Sequence, residues 1–315
     1  MSTSAGNGPV LMGVSWTLTV LSVVAVLLRF YVRKKVTRTI GADDWIMLAA
    51  VVCQLAFEAC LTRAYQIGFG KPDSELTYAD GTEILKWAYI VVTPGILVSV
   101  LSRISSAILL IRIFGRTKWF KYFFIGFTIL QSVCGCLLIV FVWVQVSPVQ
   151  GLWDMTLPAR RWDPAVKQDM AFLTQSLFTF SDLAFVLLPT VIIWKLNMPM
   201  RQKISLILLM AASLFTMAAS IVKTIITQSS EAAASQHEAS IATTWTAVEQ
   251  TMVIIMSCVP PLRSITKLYP RIFRALGLTD VSAAPQYNNQ YYDIEIDSRK
   301  ADKAAVYSGV SHPRH

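Results

Sequence analysis

The sequence predicts an all-α, polytopic membrane protein: a bundle of seven transmembrane helices with the N-terminus outside and the C-terminus in the cytosol. Three observations predict it. Of 315 residues, 54% are hydrophobic and only 15% charged, where a soluble globular domain carries about 25% charged residues. Mean hydropathy is +0.52. The apolar residues gather in runs of the roughly 20 residues that cross a hydrocarbon core, and Lys and Arg concentrate in alternate connections between them. The net charge of +9 is therefore assigned to basic loops at a membrane surface rather than to nucleic-acid binding.

Taken in order, residues 1–10 form a short outer N-terminus. They lack a basic region, so the first run, 11–31, is itself the membrane signal rather than a cleaved leader. It exits through Arg29, Arg33, Lys34, Lys35 and Arg38. The second run, 45–67, opens at Asp43, Asp44 and Trp45, where carboxylates can cap exposed N–H groups, complement the helix dipole and pair with the basic first loop. The remaining runs are 85–114, 120–146, 170–196, 204–227 and 241–262, so the transmembrane domain covers 11–263. Residues 264–278 mix Lys and Arg with Leu, Ile and Phe, the pattern of a short amphipathic segment on the membrane surface. The polar remainder, 279–315, reads as a disordered cytosolic tail.

Orientation follows from the Lys and Arg near the helix ends. Besides the first loop, Arg112, Arg116, Lys118, Lys121, Lys195, Arg201, Lys203, Arg263, Lys267, Arg271 and Arg274 fall on one side, giving sixteen there. The other side has seven: Arg63, Lys71, Lys86, Arg160, Arg161, Lys167 and Lys223. The richer side is cytosolic by the positive-inside rule. Seven of nine tryptophans lie near run ends, where an amphipathic ring favours the interface. Pro94, Pro189, Pro260 and Pro261 lie within or at the ends of runs and serve to kink helices that shape the bundle. All five cysteines fall inside apolar runs and read as buried thiols.

Ionisable groups inside lipid each cost a few kcal/mol unless paired or hydrated. The runs contain Glu58, Arg63, Arg103, Asp182, Lys223 and Glu249. Glu58 lies fourteen residues past Asp44, Asp182 thirteen before Lys195, and Glu249 fourteen before Arg263. At about 1.5 Å per residue, all three acids stand roughly 20 Å above the inner face, with Arg103 lower and Lys223 near the outer rim. Helical spacing aligns Gln175, Thr179 and Asp182 in the fifth run, Ser213, Thr216, Ser220 and Lys223 in the sixth, and Ser99, Ser102, Arg103 and Ser106 in the third. Two readings follow. These stripes line a polar cavity open to the outer side, with Asp182, Glu249, Arg103, Lys223, Glu58, Gln175 and Thr179 as ligand contacts; or Ser and Thr mediate helix packing while Asp182 and Arg103 form an internal ion pair. Asp43, Asp44, Trp45, Pro189 and Pro260 are expected to be structural.

Several chemistries lack their residues. The seventh run has no lysine for a retinal Schiff base, so no retinal or other cofactor is expected. His237, His312 and His315 all lie outside the runs, which leaves no metal site and no hydrolytic constellation.

A set of short segments in fixed order carries a resemblance. They are Arg29-Phe-Tyr-Val-Arg33 and Gly41-Ala-Asp-Asp-Trp45 around the second run's start, and Arg112-Ile-Phe114 closing the third. Ser181-Asp-Leu183, Leu188-Pro189 and Trp194-Lys-Leu196 follow in the fifth, then Val248-Glu249 and Val259-Pro-Pro-Leu-Arg263 in the seventh. Over roughly residues 14–274 the chain resembles the fungal rhodopsin-like integral membrane family. That family includes the satratoxin-cluster membrane proteins and the transmembrane part of pathogenicity-linked fungal receptors. The family usually carries a cysteine before the proline that ends helix four and another in the following loop; here those places read Gln145-Val-Ser-Pro148 and Arg161-Trp-Asp163. This departure removes the basis for a disulfide-pinned outer loop. The absence of a cysteine-rich extracellular region before the first run favours the cluster-associated branch over the receptors.

The resemblance implies a non-enzymatic membrane protein, of plasma membrane or endomembrane, that recognises a small lipophilic metabolite in a fungal secondary-metabolite pathway. It would act there as sensor, carrier accessory or self-protection factor. One alternative is a G-protein-coupled-receptor-like protein whose basic inner loops meet a cytosolic signalling partner. Another is a membrane-embedded cyclase or isomerase in which Asp182, Glu249 or Glu58 protonates an apolar substrate.

Overall fold

The computed structural model describes residues 8–37, 40–71, 77–114, 118–154, 156–194, 218 and 236–262. The predicted sixth run with Ser213, Thr216, Ser220 and Lys223, the surface segment 264–278 and the tail 279–315 lie outside the described residues. So do the side chains of Pro189 and Pro260.

Helix α1, Gly8–Val32, continues through a π-helical turn, Arg33–Thr37. It is followed by α2, Ala42–Ile67, α3, Tyr78–Phe114, and α4, Lys118–Val144. A two-residue ladder of β1, Val146–Ser147, with β2, Arg160–Arg161, precedes α5, Pro164–Trp194. Helix α6, Gln236–Leu262, carries the seventh apolar run.

Several boundaries differ from the predicted ones; α6, for one, starts at Gln236 rather than residue 241. Helix α3 starts at Tyr78 rather than residue 85, α5 at Pro164 rather than 170, and α4 stops at Val144, which places Val146 in β1. Hydropathy marks the membrane-crossing part of a helix, whereas hydrogen bonding continues into polar turns at the interface. Helix α5 shows the device: Asp163 Oδ1 accepts the Ala165 N–H at 3.0 Å, with Pro164 in the first turn, where its missing N–H costs nothing. Helix α2 ends where Gly68, at φ 129°, returns its N–H to Ala64 and Tyr65 carbonyls, a conformation that side-chain-bearing residues avoid.

Among the described residues, four helices are long and apolar enough to cross a membrane: Val10–Lys35, Ala42–Ile67, Tyr78–Arg112 and Lys118–Val144. Burial is inverted relative to a soluble bundle. On α1, Ser15, Thr19 and Ser22 are buried at i, i+4 and i+7, whereas Val20, Leu21, Val24 and Leu27 are exposed. On α4, Ile129, Leu130, Val133, Leu137 and Val140 face outward. Such surfaces are stable only against lipid, with polar side chains turned into the bundle.

Helix α3 is the central post. Its residues enter all four apolar clusters: Val98 against α1, α2 and α6; Ile84 and Val91 against α2 and α6; Ile96 and Val100 against α4 and α5; Leu110 against Phe120, Phe124 and Phe185. Gly135 lets α4 approach α3 closely, since a Cβ there would meet Val100 Cγ2 at 2.6 Å. The α4–α5 connection is held by the backbone ladder, in which Val146 faces Arg161 and Ser147 faces Arg160. Asp154 in this connection is held below the ordinary carboxylate range by the Thr156 hydroxyl and amide that donate to it.

One end of the bundle is tied by a buried ionic cluster. Arg29 donates from Nη2 to Asp43 at 2.6 Å, from Nε to Asp44 at 2.9 Å, and from Nη1 to the Ser257 carbonyl of α6 at 2.7 Å. Arg33 lies 2.7 Å from Asp43 Oδ2 and 3.1 Å from Asp44 Oδ2. Asp44 Oδ2 also accepts the Gly41 N–H at 3.0 Å, capping α2, and the Asp43 carbonyl accepts from Ser105 of α3 at 2.7 Å. Trp45 points outward and meets Phe30 edge-on at 6.2 Å. Four helices thus meet around the cluster of Arg29, Asp43 and Asp44. Removing one member of a buried pair costs about 3–5 kcal/mol because the other stays buried and charged. Arg29→Met is therefore expected to lower stability by about that amount. Arg112→Ala, which removes a 46% exposed guanidinium 3.7 Å from Asp43, should cost under about 1 kcal/mol. Unfolding titrations of both variants in mixed micelles check the difference.

Candidate functional site

The central feature is Arg103, fully buried at the middle of α3. Its Nη2 donates to Asp182 Oδ2 of α5 at 2.7 Å and to Glu249 Oε1 of α6 at 3.3 Å. Its Nη1 returns to the Ser99 carbonyl at 3.1 Å, and its guanidinium lies 4.4 Å from the centre of the Phe178 ring, a cation–π contact strengthened by the dry surroundings. Gln175 Nε2 reaches Glu249 Oε1 at 3.1 Å and Oε2 at 3.3 Å. Three helices therefore share one hydrogen-bonded ionic node.

Glu58 does not join it. Although 1% exposed, it accepts from Ser15 at 3.0 Å, Thr19 at 3.0 Å and Gln54 at 3.3 Å, in a polar seam between α1 and α2. The expectation that three carboxylates line one pocket is thereby corrected. Depth along the helices places the acids at one level but does not say which way around the bundle each points.

A cavity of about 460 Å³ lies beside the node, within the range of small-molecule sites. Its wall is mainly apolar: Phe57 of α2, Val91, Val92 and Ile96 of α3, Leu138 and Val142 of α4, and Phe172 and Phe178 of α5. Lys167, Gln168 and Asp169, in the first turns of α5, line one part of it, and Ser99, Gln175, Phe178 and Gln250 another. Ser99, Gln175 and Phe178 belong both to the cavity wall and to the shell around Arg103.

Of the predicted ligand contacts among the described residues, only Gln175 lines the cavity. Arg103 and Asp182 are one helical turn beyond the wall residues Ser99 and Phe178, and Glu249 is behind Gln175. Thr179 donates to the Gln175 carbonyl at 2.9 Å and joins neither. Lys223 lies outside the described residues. Sequence reasoning missed Thr243, Thr246 and Gln250, which line the cavity from α6. Their i, i+3, i+7 spacing was a visible polar stripe, overlooked beside the more conspicuous Glu249. Among the described residues, no group of three His, Cys, Asp or Glu side chains is placed to hold a metal ion.

Comparison with known proteins agrees with this architecture. A family model described as the fungal rhodopsin domain matches residues 28–268. The "Fugralins biosynthesis cluster protein 2" of Gibberella zeae is 24% identical over 184 residues, covering 56% of this chain and 44% of that protein. The chain thus spans less than half the length of this relative. No solved structure matches the chain.

The geometry separates two neighbours on α5. Gln175→Leu removes the amide donors from Glu249 and should destabilise the protein by about 1–3 kcal/mol, the cost of leaving a buried acceptor short of partners. Thr179→Ala removes only a hydroxyl bonded to its own helix and should cost under about 0.5 kcal/mol. Micellar unfolding titrations of the two variants test this order.

Proposed function

We infer the function of this chain from one premise: it belongs to the fungal rhodopsin domain family, and it is a multi-pass membrane protein. The described helices, the apolar run at 204–227 and the distribution of Lys and Arg support seven spans with the N-terminus outside and the C-terminus cytosolic. Within that bundle the chain recognises a small lipophilic molecule. The role is non-enzymatic and serves a secondary-metabolite pathway as sensor, carrier accessory or self-protection factor. The printed name of the Gibberella zeae relative supplies the pathway context.

The observation that carries the reading is the cavity wall shared with the ionic node. An occupant that presses on Ser99, Gln175 or Phe178 acts directly on the groups that hold Arg103 between Asp182 and Glu249. Such a coupling suits a sensor, and in a receptor-like variant of it the basic inner loops would present the changed surface to a cytosolic partner. The embedded cyclase or isomerase is supported less well. Its acids would have to touch substrate, whereas Asp182, Glu249 and Glu58 all lie off the cavity wall, each with at least one oxygen bonded to a protein group.

Thr246→Trp fills the cavity without touching the Arg103 node. Introduced at the natural locus, it is expected to leave the protein at normal abundance in membranes and to reproduce the altered metabolite output or self-resistance of a deletion strain. Metabolite profiling beside an immunoblot reads both. Normal output with a filled cavity would refute the recognition role, and accumulation of one unconverted precursor would transfer the chain to the enzyme class.

A further inference from the structure

The cavity's α6 wall has a chemical polarity of its own. Thr243, Thr246 and Gln250 follow one another at i, i+3 and i+7 along it. The Thr243 hydroxyl donates to the Ala239 carbonyl at 2.8 Å, and the Thr246 hydroxyl to the Ala242 carbonyl at 3.0 Å. Gln250 Nε2 donates across to the Gly95 carbonyl of α3 at 2.9 Å. Gly95 is what permits this approach, since a Cβ there would stand 3.1 Å from Gln250 Nε2 and 3.2 Å from Phe57. Opposite, the Thr174 hydroxyl of α5 donates to the Met170 carbonyl at 2.8 Å. Each of these side chains commits a donor hydrogen to a backbone carbonyl and keeps oxygen lone pairs, while Gln250 retains its second amide hydrogen. Among them Gln250 Oε1 is buried and has no hydrogen-bond partner among the described residues, in a residue only 2% exposed.

A buried amide oxygen without a partner is costly until something donates to it. The Thr–Thr–Gln stripe supplies acceptors, and apart from Ser99, Thr174, Gln175 and the Lys167–Asp169 turn the wall is mainly apolar. Resting on the small-molecule reading above, we propose that the cavity selects a compact apolar molecule bearing a hydroxyl or N–H donor, which the ligand gives to Gln250 Oε1, with Thr246 as neighbouring acceptor. Carboxylates and ethers of the same skeleton bring no hydrogen for Gln250 Oε1 and gain nothing from this contact.

Intact protein in lipid nanodiscs, with empty nanodiscs as reference for partition into lipid, is dialysed against four probes of one shape: adamantane, 1-adamantanol, 1-methoxyadamantane and 1-adamantanecarboxylate. The alcohol is expected to bind about tenfold more tightly than adamantane, the scale of one well-made hydrogen bond, and neither the ether nor the carboxylate to exceed the hydrocarbon. Gln250→Met should reduce the alcohol's advantage to less than about threefold and leave adamantane binding unchanged. Thr246→Val, which keeps the Gly95 contact, should reduce it partly and decides the matter if Gln250→Met fails to fold. Equal binding of alcohol, ether and hydrocarbon, or an advantage that survives both substitutions, overturns the donor preference while sparing the cavity reading. Failure of all four probes to bind overturns both.

Discussion

A guanidinium in the middle of a lipid-immersed helix has no water to turn to, so its counter-charges must come from neighbouring helices. Arg103 meets that requirement with Asp182 of α5 and Glu249 of α6. The attraction between such groups gives little net stability over a well-packed apolar core. What it fixes is geometry: α3, α5 and α6 can assemble only in a rotation that brings these three side chains together. The apolar clusters around α3 then fill the space that this rotation leaves.

A second tie stands at the end of the bundle where α2 begins. Arg29 spans Asp43, Asp44 and the Ser257 carbonyl. Both ties reach α6, at Glu249 and at Ser257, eight residues or roughly 12 Å apart. Between them the Ser106 and Ser257 hydroxyls meet in a short contact joining α3 to α6. Helix α6 is therefore gripped by α3 through Glu249, Gln250 and Ser257, and it also lines the cavity. From the Arg103 node, hydrogen bonds through Ser99, Ser102, Ser106 and Ser257 lead along α3 and α6 to Arg29 and the α2 carboxylates it holds.

The helical membrane fold was legible because lipid imposes a strong rule: runs of apolar residues at 11–31, 45–67, 85–114 and 120–146 appear as α1 to α4. Their polar extensions were not, since hydropathy is blind to a capped turn such as Asp163–Pro164. The candidate site was legible in part. Counting residues from the helix ends gives depth, and Asp182 and Glu249, counted to one level, both bond to Arg103. The same count groups Glu58 with them, yet its partners are the small hydroxyls of Ser15 and Thr19 on the other flank of the bundle. Azimuth depends on packing details such as Gly95 and Gly135, which no linear spacing reveals. The cavity was least legible, because its wall is built mostly of the same Val, Ile and Phe that face lipid elsewhere.

A double-mutant cycle on Arg103 and Asp182 tests the central claim most directly. If the two form the internal pair that orients the bundle, Arg103→Met and Asp182→Leu each destabilise strongly, and the double variant recovers at least about 2 kcal/mol relative to the sum of the single losses. Additive losses, agreeing within about 0.5 kcal/mol, would mean that the two groups do not face one another in the membrane and would contradict the arrangement of α3, α5 and α6 described above.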